Sequence, residues 1–378
     1  MDKILFVTLE FPPDIGGVGR MYREICRALP AESVVVLTPP NTKSVQYKES
    51  PLDNYSVIRS SLLVRWWWPR WVIAIFRINY CLKHYNISRT IVGQVLPLGT
   101  AVWILSFIKK TRYAVFVHGM DVSLPIRHSR KRWLLKNILG RAEKVLAANN
   151  FVAQMVRNLG LPAEQVVVIY PSPVIKKLSN NTLTENLRQR YNLQNKPILL
   201  TIGRLVERKG HEIILMALES VWREAPQLRY FIIGTGPFKN KLEDLRALLS
   251  HPHQVIFLGE INDEETAAWL SLATIFIMTP RALANGDAEG FGLVYLEAAF
   301  FGKPVIASRT GGVSEAVIDG QTGIIVEENN VEATAMAILK LLKNPSLAEE
   351  LGRDGQERVE KQFSAESAAQ RIKDVFGY

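Results

Sequence analysis

Cysteine is scarce in this sequence, since Cys26 and Cys81 are the only two among 378 residues. Two thiols cannot staple a chain of this length, so a disulfide-stabilised scaffold is excluded and a reducing, cytoplasmic compartment is expected. Long apolar runs are also missing. The most hydrophobic stretch, residues 98–108, ends at two lysines and is shorter than the roughly 20 residues that a transmembrane helix needs. The first residues, MDKILFVTLEF, predict a β-strand rather than a signal peptide.

Two familiar ligand patterns are absent as well. No group of His and Cys has metal-ligand spacing, so we expect no metal and no cofactor. Gly16, Gly17 and Gly19 precede a helix predicted near Arg20, but they do not form GxGxxG, and no acidic residue follows at the distance a ribose requires. These glycines fit either a tight turn or a loop whose amides approach a phosphate.

Negative charge is scarce in the first half of the chain only. Through Lys177 there are 25 Lys and Arg against 10 Asp and Glu, a net charge of +15, whereas the remainder has 21 against 26, a net charge of −5. This asymmetry indicates that the first half faces something anionic, either nucleic acid or an acidic membrane surface.

Apolar strand-like runs alternate with helical patterns along the whole chain. The first half contains KILFVTL, SVVVLT, TIVGQV, YAVFVHG and KVLAA, and the second contains PILLTIG, YFIIG, VIFLG, IFIM, PVIAS and GIIV. Short, continuously apolar strands separated by helices predict parallel sheets covered on both faces. Two such series predict an α/β protein of two doubly wound domains, with a boundary near the polar stretch 176–197 and ligands beyond the carboxyl ends of the strands.

Several polar residues follow these predicted strands. His118 and Asp121 come after YAVFVHG, where a histidine serves either a structural role or a hydrogen bond to a sugar or phosphate. Arg204 and Lys209 follow PILLTIG, where a fork-like donor and a point charge are placed to reach a diphosphate.

The apolar stretch 286–308 carries two glutamates, Glu289 and Glu297. A helix predicted to begin near Phe291 would place the amides of 290–293 at its positive end, next to a phosphate. Eight residues of helix rise about 12 Å, so the two carboxylates are placed to bracket an elongated ligand with a polyol at each end. A nucleotide-sugar has that layout of hexose, diphosphate and ribose.

The string EGFGLVYLE resembles the Glu-x7-Glu signature of the retaining glycosyltransferases of family 4, which have the GT-B fold. The resemblance extends over nearly the whole chain, since FPPDIGG, HG, GRLVERKG, YFIIGTGP and GKPVIASRTGGVSEAVIDGQTG follow in the family's order. GDAEGFGLVYLEA and FPPDIGG are most similar to the branch that contains phosphatidylinositol mannosyltransferases. Two segments depart from the pattern of that branch. The histidine motif tends to end in Glu there, whereas here it reads HGMD, and the usual Pro-Asn-Gly-Val-Asp is replaced by IYPSPVIKK.

This resemblance implies two Rossmann-like domains whose parallel sheets face each other across a cleft. Residues 1–180 would bind the acceptor, 190–361 the nucleotide-sugar, and a helix in 362–378 would cross back to the first domain. The implied reaction is a retaining, metal-independent transfer of a hexosyl group from GDP-mannose, or else a UDP-hexose, to a hydroxyl of a lipid or membrane-associated glycan.

The resemblance also implies a role for each site residue. Glu289 would contact the transferred sugar and Glu297 the ribose, Arg204 and Lys209 would neutralise the leaving diphosphate, and His118 would hold the sugar ring or a phosphate oxygen. The loop of Gly16 and Gly17 would close over the diphosphate, and the segment around Ile261 would contact the base. The other implied donor-binding residues are Asp121, Gly290, Phe291, Gly292 and Leu293.

Residues 64–77, VRWWWPRWVIAIFR, interleave tryptophans with arginines, as suits a membrane interface. The interfacial candidates are Arg65, Trp66, Trp67, Trp68, Arg70 and Trp71. A second candidate is the basic stretch 127–141, and ordinary helices packed on the sheet are the alternative for both stretches. A first half with net charge +15 suits a lipid-linked acceptor and peripheral binding to the inner face of an anionic membrane.

Three other functions compete with this interpretation. A basic half with aromatics also suits a nucleic-acid-binding protein, but that function leaves Glu289 and Glu297 unexplained, so no nucleic-acid partner is expected. The same architecture hosts sugar-nucleotide epimerases and hydrolases, but the Glu-x7-Glu string argues against them. A transferase acting on a soluble sugar or metabolite with a UDP-hexose is the third alternative.

Overall fold

The structure is a computed structural model. It describes residues 3–13, 17–40, 53–64, 66, 68–109, 111–179, 181–194, 196–284 and 286–377. The chain forms two compact units, one of Met1–Ser172 with Ser364–Tyr378 and one of Pro173–Phe363. The polar stretch 176–197, predicted as a boundary, contains a helix and belongs to the second unit.

In the described part of the first unit, seven parallel strands form one sheet in the order β3-β2-β1-β4-β5-β6-β7. The strands are β1 Lys3–Val7, β2 Val34–Thr38, β3 Ser56–Arg59, β4 Ile87–Val92, β5 Arg112–Val117, β6 Lys144–Ala147 and β7 Val166–Val168. The helices that connect them are α1 Gly17–Ala28, α2 Val72–His84, α3 Thr100–Lys109, α4 Met120–Ile126, α5 Ser129–Arg141 and α6 Asn150–Arg157.

The central strands of this sheet are buried on both faces, which is why they read as continuous Val, Ile and Phe runs. One face packs against α2, α3, α5 and α6, and the other packs against α1. Local signals set some helix ends. Asn149, for example, begins α6 by accepting a hydrogen bond from the amide of Val152 through its side chain.

In the described part of the second unit, six parallel strands form a sheet in the order β10-β9-β8-β11-β12-β13. The strands are β8 Ile198–Ile202, β9 Arg229–Ile233, β10 Val255–Gly259, β11 Ile275–Met278, β12 Val305–Ser308 and β13 Gly323–Val326. The helices are α7 Thr182–Arg190, α8 His211–Glu224, α9 Lys239–Ala247, α10 Asp263–Leu272, α11 Leu293–Phe300, α12 Val313–Ala316, α13 Val331–Lys343 and α14 Pro345–Gln362.

The last helix, α15 Ala365–Phe376, returns to the first unit and packs on α1. Ser364 caps it by accepting a hydrogen bond from the amide of Ser367. Ala368, Ala369, Ile372 and Phe376 are buried with the residues of β1, β2 and α1. An apolar stripe of this spacing is what places α15 on the sheet of the first unit.

Each sheet contains one point where the strand order reverses. In the first unit the neighbours β1 and β4 lie on either side of it, and in the second unit β8 and β11 do. Connections leave in opposite directions at such a point, so a crevice forms beyond the carboxyl ends of the two strands. The sequence-predicted polar residues that follow β8 and β11 therefore emerge side by side.

All eleven strands predicted from apolar runs are present. The prediction missed β3 and β7, which have four and three residues and lie at the edges of their sheet. Two predicted helix starts were wrong. The first helix begins at Gly17 rather than near Arg20, and α11 begins at Leu293 rather than near Phe291.

Candidate active site

A group of polar side chains joined by ion pairs lies beyond the carboxyl ends of β8 and β11. Glu289, in the loop that leads into α11, is almost fully buried. Its Oε2 atom lies 2.7 Å from Nζ of Lys209 and 2.5 Å from a guanidinium nitrogen of Arg208. Nε of Arg208 lies 3.3 Å from Oδ1 of Asp287. Two cations and two carboxylates thus form one compact cluster.

This cluster fixes the charge of Glu289. Burial by itself raises the pKa of its carboxyl, but the ammonium of Lys209 and the guanidinium of Arg208 outweigh burial and hold that pKa below its usual range. Both cations contact the same oxygen, Oε2. An ionised carboxylate held through one oxygen keeps the other, Oε1, for accepting hydrogen bonds from a ligand's hydroxyl groups.

Arg204 differs from Lys209 in its surroundings. Its side chain is exposed, and within the described ranges its guanidinium makes no ion pair or hydrogen bond. It follows β8 after one residue, Gly203, and the amide of Leu205 donates to the carbonyl of Thr235 in the neighbouring loop. A cation with no internal partner at a strand end is free to bind an anionic ligand.

Two glycines allow the loops of this cluster to approach each other. Gly210 has a φ of +68°, and a Cβ there would lie 1.8 Å from the carbonyl oxygen of Thr279. Gly311 has a φ of +48°, and a Cβ there would lie 2.0 Å from the carbonyl oxygen of Glu289, which accepts a hydrogen bond from the amide of Gly312. No other residue fits either position, so these glycines fix where Lys209 and Glu289 stand.

The residues after Glu289 form a turn and then a helix. Gly292, with a φ of +86°, precedes α11, and a Cβ there would collide with the ring of Tyr295. The side chain of Phe291 is buried against Phe363, with ring centroids 5.8 Å apart. Glu297 is buried in α11, eight residues after Glu289 in the sequence.

Two further predicted donor residues also lie in this unit. Gly290 directly follows Glu289, and Leu293 is the first residue of α11. Ile261 lies after the edge strand β10 and is half-buried, beside Asn262, which caps α10. Within the described ranges, no three His, Cys, Asp or Glu side chains are grouped as metal ligands would be.

In the first unit, His118 stands at the carboxyl end of β5 and contacts Tyr22 of α1. The hydroxyl of Tyr22 lies 2.7 Å from the carbonyl oxygen of Gly93, to which it donates, and 2.5 Å from Nε2 of His118. Since the hydroxyl has one proton and the carbonyl only accepts, Nε2 must donate to Tyr22. Burial lowers the pKa of His118 to about 4, so its ring is neutral and offers Nδ1 as an acceptor.

Asp121 closes the turn between β5 and α4. Its Oδ1 atom accepts from the amides of His118 and Gly119, each at 2.9 Å. Gly119 has a φ of +117°, which a side chain would oppose. Burial raises the pKa of Asp121 to about 6, although the two amide hydrogen bonds act in the opposite direction. Asp121 therefore orients the backbone of His118.

The predicted glycine loop lies only partly within the described residues. Gly17 begins α1, and Gly16 lies outside the described residues. A Cβ on Gly19 would lie 3.1 Å from the backbone of Glu10. The absence of that Cβ brings the first turn of α1 against the segment after β1, so Gly19 allows close packing of the helix on the strand end.

The predicted interfacial tryptophans fall into two groups. Trp66 and Trp68 are 95% and 87% exposed, and Arg70 is exposed beside them. Trp71 is instead half-buried and packs against the core under α2, and its role at an interface stays a prediction. Its apolar ring is the first of the helix-spaced contacts that α2 makes with the sheet. Arg65 and Trp67 lie outside the described residues.

Sequence reasoning missed three residues of these sites. Arg208 looked like an ordinary surface charge beside Lys209, and its adjacency to Lys209 was the only signal. Tyr22 belongs to an apolar helix face, so its hydroxyl carried no signal. Gln94 accepts from the amide of Leu9 and donates to the hydroxyl of Thr8, which joins the strand ends of β4 and β1.

Two family profiles match most of the chain. Residues 15–172 match the family described as Glycosyltransferase Family 4, and residues 184–358 match Glycosyl transferases group 1. Among curated relatives, a GDP-mannose-dependent alpha-(1-6)-phosphatidylinositol monomannoside mannosyltransferase of Mycolicibacterium smegmatis is 28% identical over 92% of this chain and 91% of its own. The enzyme so named from Mycobacterium tuberculosis is 27% identical over 99% and 98%.

Solved structures of low sequence identity share the fold. HepE from Anabaena, in complex with UDP and glucose, is 20% identical, covers 100% of both chains and has a TM-score of 0.79. Sucrose-phosphate synthase from Thermosynechococcus elongatus is 24% identical, covers 100% of this chain and 98% of its own, and has a TM-score of 0.79. These neighbours consist of two Rossmann-like domains, as this chain does.

Proposed function

Because this chain is a glycosyltransferase of family 4 with the GT-B fold, we propose that it transfers a mannosyl group from GDP-mannose to a hydroxyl of a lipid-linked acceptor, with retention of configuration. The observation that carries the proposal is the cluster of Glu289, Lys209 and Arg208 beside the unpaired Arg204. It supports the proposal because a buried carboxylate able to accept hydrogen bonds from sugar hydroxyls lies next to cations able to neutralise a diphosphate.

In this reaction the bond between the sugar's anomeric carbon and the diphosphate breaks, and a bond to the acceptor oxygen forms on the same face. The acceptor's proton passes to the departing phosphate oxygen, so the protein supplies no nucleophile. Arg204 and Lys209 stabilise the charge that develops on the diphosphate. Preorganised charge of this kind is usually the largest contribution to catalysis.

Glu289 orients the transferred sugar in this proposal. Its ionised carboxylate, held through Oε2, accepts from the sugar's hydroxyl groups through Oε1. Glu297 accepts from the ribose hydroxyls and Ile261 lies against the base. Gly290, Phe291, Gly292 and Leu293 offer backbone amides to the phosphates. His118 accepts from a sugar hydroxyl through Nδ1.

The donor and the acceptor are proposed from the relatives. Those that match along nearly the full length are named as GDP-mannose-dependent enzymes acting on phosphatidylinositol monomannoside. The related Corynebacterium glutamicum enzyme, 27% identical over 99% of this chain, is named for a monoacylated form of that acceptor. A GDP-mannose donor and a lipid-linked acceptor are the proposals that agree with all three names.

The surface of the first unit supports contact with an anionic membrane. Trp66 and Trp68 precede α2, which exposes Phe76, and the neighbouring helices α3 and α5 expose Phe107, Ile108 and Trp133. Basic side chains lie among them, at Arg70, Arg77, Lys109, Arg130, Lys131 and Arg132. Aromatic rings with interspersed cations suit an interface of acidic lipids. Among the described helices, none combines the length and apolarity needed to cross a bilayer.

A donor panel tests the proposal. Purified protein is incubated with GDP-mannose and with UDP-hexoses, with and without a lipid extract, and release of GDP or UDP is followed. We expect GDP release from GDP-mannose that rises when lipid is added. Release of UDP from a UDP-hexose, with none of GDP from GDP-mannose, would overturn GDP-mannose as the proposed donor. Release that lipid does not change would overturn the lipid-linked acceptor in favour of a soluble one.

A further inference from the structure

Arg208 occupies a position in the cluster that no sequence pattern assigns to it. One nitrogen of its guanidinium lies 2.5 Å from Oε2 of Glu289, and Nε lies 3.3 Å from Oδ1 of Asp287. The side chain is 18% exposed. Asp287 and Glu289 are two residues apart in one loop, so a single planar guanidinium ties both ends of that segment to the turn before α8.

The charges of the cluster balance only while no ligand is present. Lys209 and Arg208 face Glu289 and Asp287, two cations against two carboxylates. A donor diphosphate brings further negative charge and, in the proposed function, attracts Lys209. Glu289 then needs another counter-charge, because an ionised carboxylate left unpaired in a buried site is strongly unfavourable.

Arg208 is better anchored than Lys209 for that role. Asp287 holds Arg208 from a second side, whereas the ion pair that Lys209 makes in the described structure is to Glu289. The carbonyl of Arg208 also accepts from the amide of Arg281, in the loop after β11. The guanidinium is therefore held in place when the ammonium moves to the phosphates.

Resting on the proposed function, we propose that Arg208 is a positioning residue that keeps Glu289 ionised and oriented while Lys209 binds the diphosphate. Without Arg208, Glu289 and the diphosphate compete for one ammonium. The sugar then loses its acceptor or the phosphate loses its cation. Either loss lowers turnover although Arg208 itself contacts neither the sugar nor the phosphates.

The titratable groups that face Glu289 define the pH signature. They are Lys209 and Arg208, with Asp287 on the far side of Arg208, and the hydroxyl of Tyr295, which donates to the carbonyl of Met278 and stays protonated. Removing Arg208 takes away one of two cations that hold the pKa of Glu289 down. That pKa rises, so Glu289 becomes protonated at a higher pH.

The test measures kcat and KM for GDP-mannose against pH in Arg208→Gln, Arg208→Lys and the wild type. We expect the acidic limb of the kcat profile of Arg208→Gln to move upward by about half a pH unit or more and its kcat to fall about tenfold or more. Arg208→Lys, whose single ammonium cannot reach both carboxylates, should lie between the two. Arg188→Gln, which removes an exposed cation from a surface ion pair, is the matched control and should match the wild type.

A second background separates positioning from direct phosphate binding. If Arg208 acts through Glu289, adding Arg208→Gln to Glu289→Gln should change kcat/KM less than about twofold. A further loss as large as that of Arg208→Gln alone would mean that Arg208 contacts the donor itself, and would overturn the proposal. An unshifted acidic limb in Arg208→Gln would overturn it as well.

If the wild type uses no donor, the proposed function is refuted, and a second measurement, which needs no activity, tests the role of Arg208 in positioning Glu289. The free energy of unfolding of wild type minus that of Glu289→Gln is followed against pH. Since the folded pKa of Glu289 is depressed, this difference is present above the unfolded pKa and is lost as pH falls. In the Arg208→Gln background the folded pKa of Glu289 lies closer to the unfolded one, so less of this difference should be lost and the loss should be complete at a higher pH. An unchanged amplitude would overturn the positioning role.

Discussion

Nζ of Lys209 lies 2.7 Å from Oε2 of Glu289, at the point where the loops after β8 and β11 meet. This pair is largely buried and shares Glu289 with Arg208. Removing the carboxylate leaves two cations in the cluster with Asp287, which contacts Arg208, as the remaining carboxylate. We expect Glu289→Gln to lower the free energy of unfolding by about 3 kcal/mol and to reduce transfer strongly, measured by urea denaturation and by nucleotide release.

Glu327→Gln is the matched control for that change. Glu327 pairs with Arg309 on the surface, where both side chains are exposed, and exposed ion pairs contribute about 0–1 kcal/mol. Equal losses of stability in Glu289→Gln and Glu327→Gln would contradict the buried cluster described above.

Arg204 should matter for turnover and little for stability. Its guanidinium is exposed and has no partner within the described residues, so Arg204→Ala removes no internal contact. Losing one preorganised charge of this kind commonly costs about 3 kcal/mol, a hundredfold or more in kcat. Steady-state kinetics with GDP-mannose measure the loss, with Arg188→Ala as the exposed control. Wild-type turnover in folded Arg204→Ala would show that Arg204 does not stabilise the leaving group.

Gly311 tests how the backbone of Glu289 is held. Gly311→Ala places a methyl group 2.0 Å from the carbonyl oxygen of Glu289, so that segment must move. Gly320 also has a positive φ, +71°, but a methyl group there meets no atom within 4 Å. We expect Gly320→Ala to cost about 1 kcal/mol of stability and keep activity. Gly311→Ala should cost more and lose most transfer, measured by urea denaturation and nucleotide release.

Comparable effects of Gly311→Ala and Gly320→Ala on both measurements would indicate that only the backbone conformation matters. The contact between Gly311 and Glu289 would then play no part in placing the carboxylate.

His118 and Asp121 should make opposite contributions to the pH dependence of the free energy of unfolding. Burial raises the pKa of Asp121 from 3.8 to about 6, so between these values the folded protein binds more protons there, and Asp121 makes the free energy of unfolding fall as pH rises. Burial lowers the pKa of His118 from 6.5 to about 4, so His118 makes it rise with pH in that window. The two contributions oppose each other in the wild type.

Single substitutions separate the two slopes. Relative to the wild type, Asp121→Asn should gain stability with rising pH between about 4 and 6, and His118→Gln should lose it, each by up to about 1.4 kcal/mol per pH unit. Denaturant unfolding at a series of pH values measures both. His211, another buried histidine whose pKa is lowered to about 4, is common to all three proteins and cancels in the differences. Slopes of the same sign would contradict the pKa directions.

Trp66 and Trp68 should contribute to membrane binding. A large apolar side chain contributes about 2 kcal/mol when it leaves water, and 1.4 kcal/mol is tenfold. Replacing both with serine should therefore weaken binding to anionic vesicles by about tenfold or more, measured by flotation. The control replaces Leu248 and Met336, exposed apolar residues of the second unit, with serine. Equal weakening in both double variants would contradict a specific interface on the first unit.

The pattern of apolar strands predicted the fold because parallel strands buried on both faces leave a strong signal. Edge strands such as β3 leave a weak one, because its side chains are half-buried or exposed. The start of α11 was placed two residues early. Gly292 ends the loop before α11 in a left-handed conformation, and a side chain there would collide with Tyr295. The sequence does not show that these two residues lie so close together.

The sequence indicated Glu289 and Lys209 separately, since each belongs to a recognisable motif, and the structure brings them together. Arg208 could not be predicted, because its role depends on which carboxylates the loop after β11 brings within reach. Trp71 was indistinguishable from Trp66 and Trp68 by residue type. Its burial depends on the register of α2, whose apolar face packs on the sheet.

The most direct measurement follows labelled mannose from GDP-mannose into products separated by organic extraction, with NMR of the anomeric centre of the extracted product. We expect label to enter the organic phase in step with GDP release, in the anomeric configuration of the donor, and we expect Arg204→Ala to lose both together. Label that stays in the aqueous phase, or an inverted anomeric centre, would contradict the proposed function.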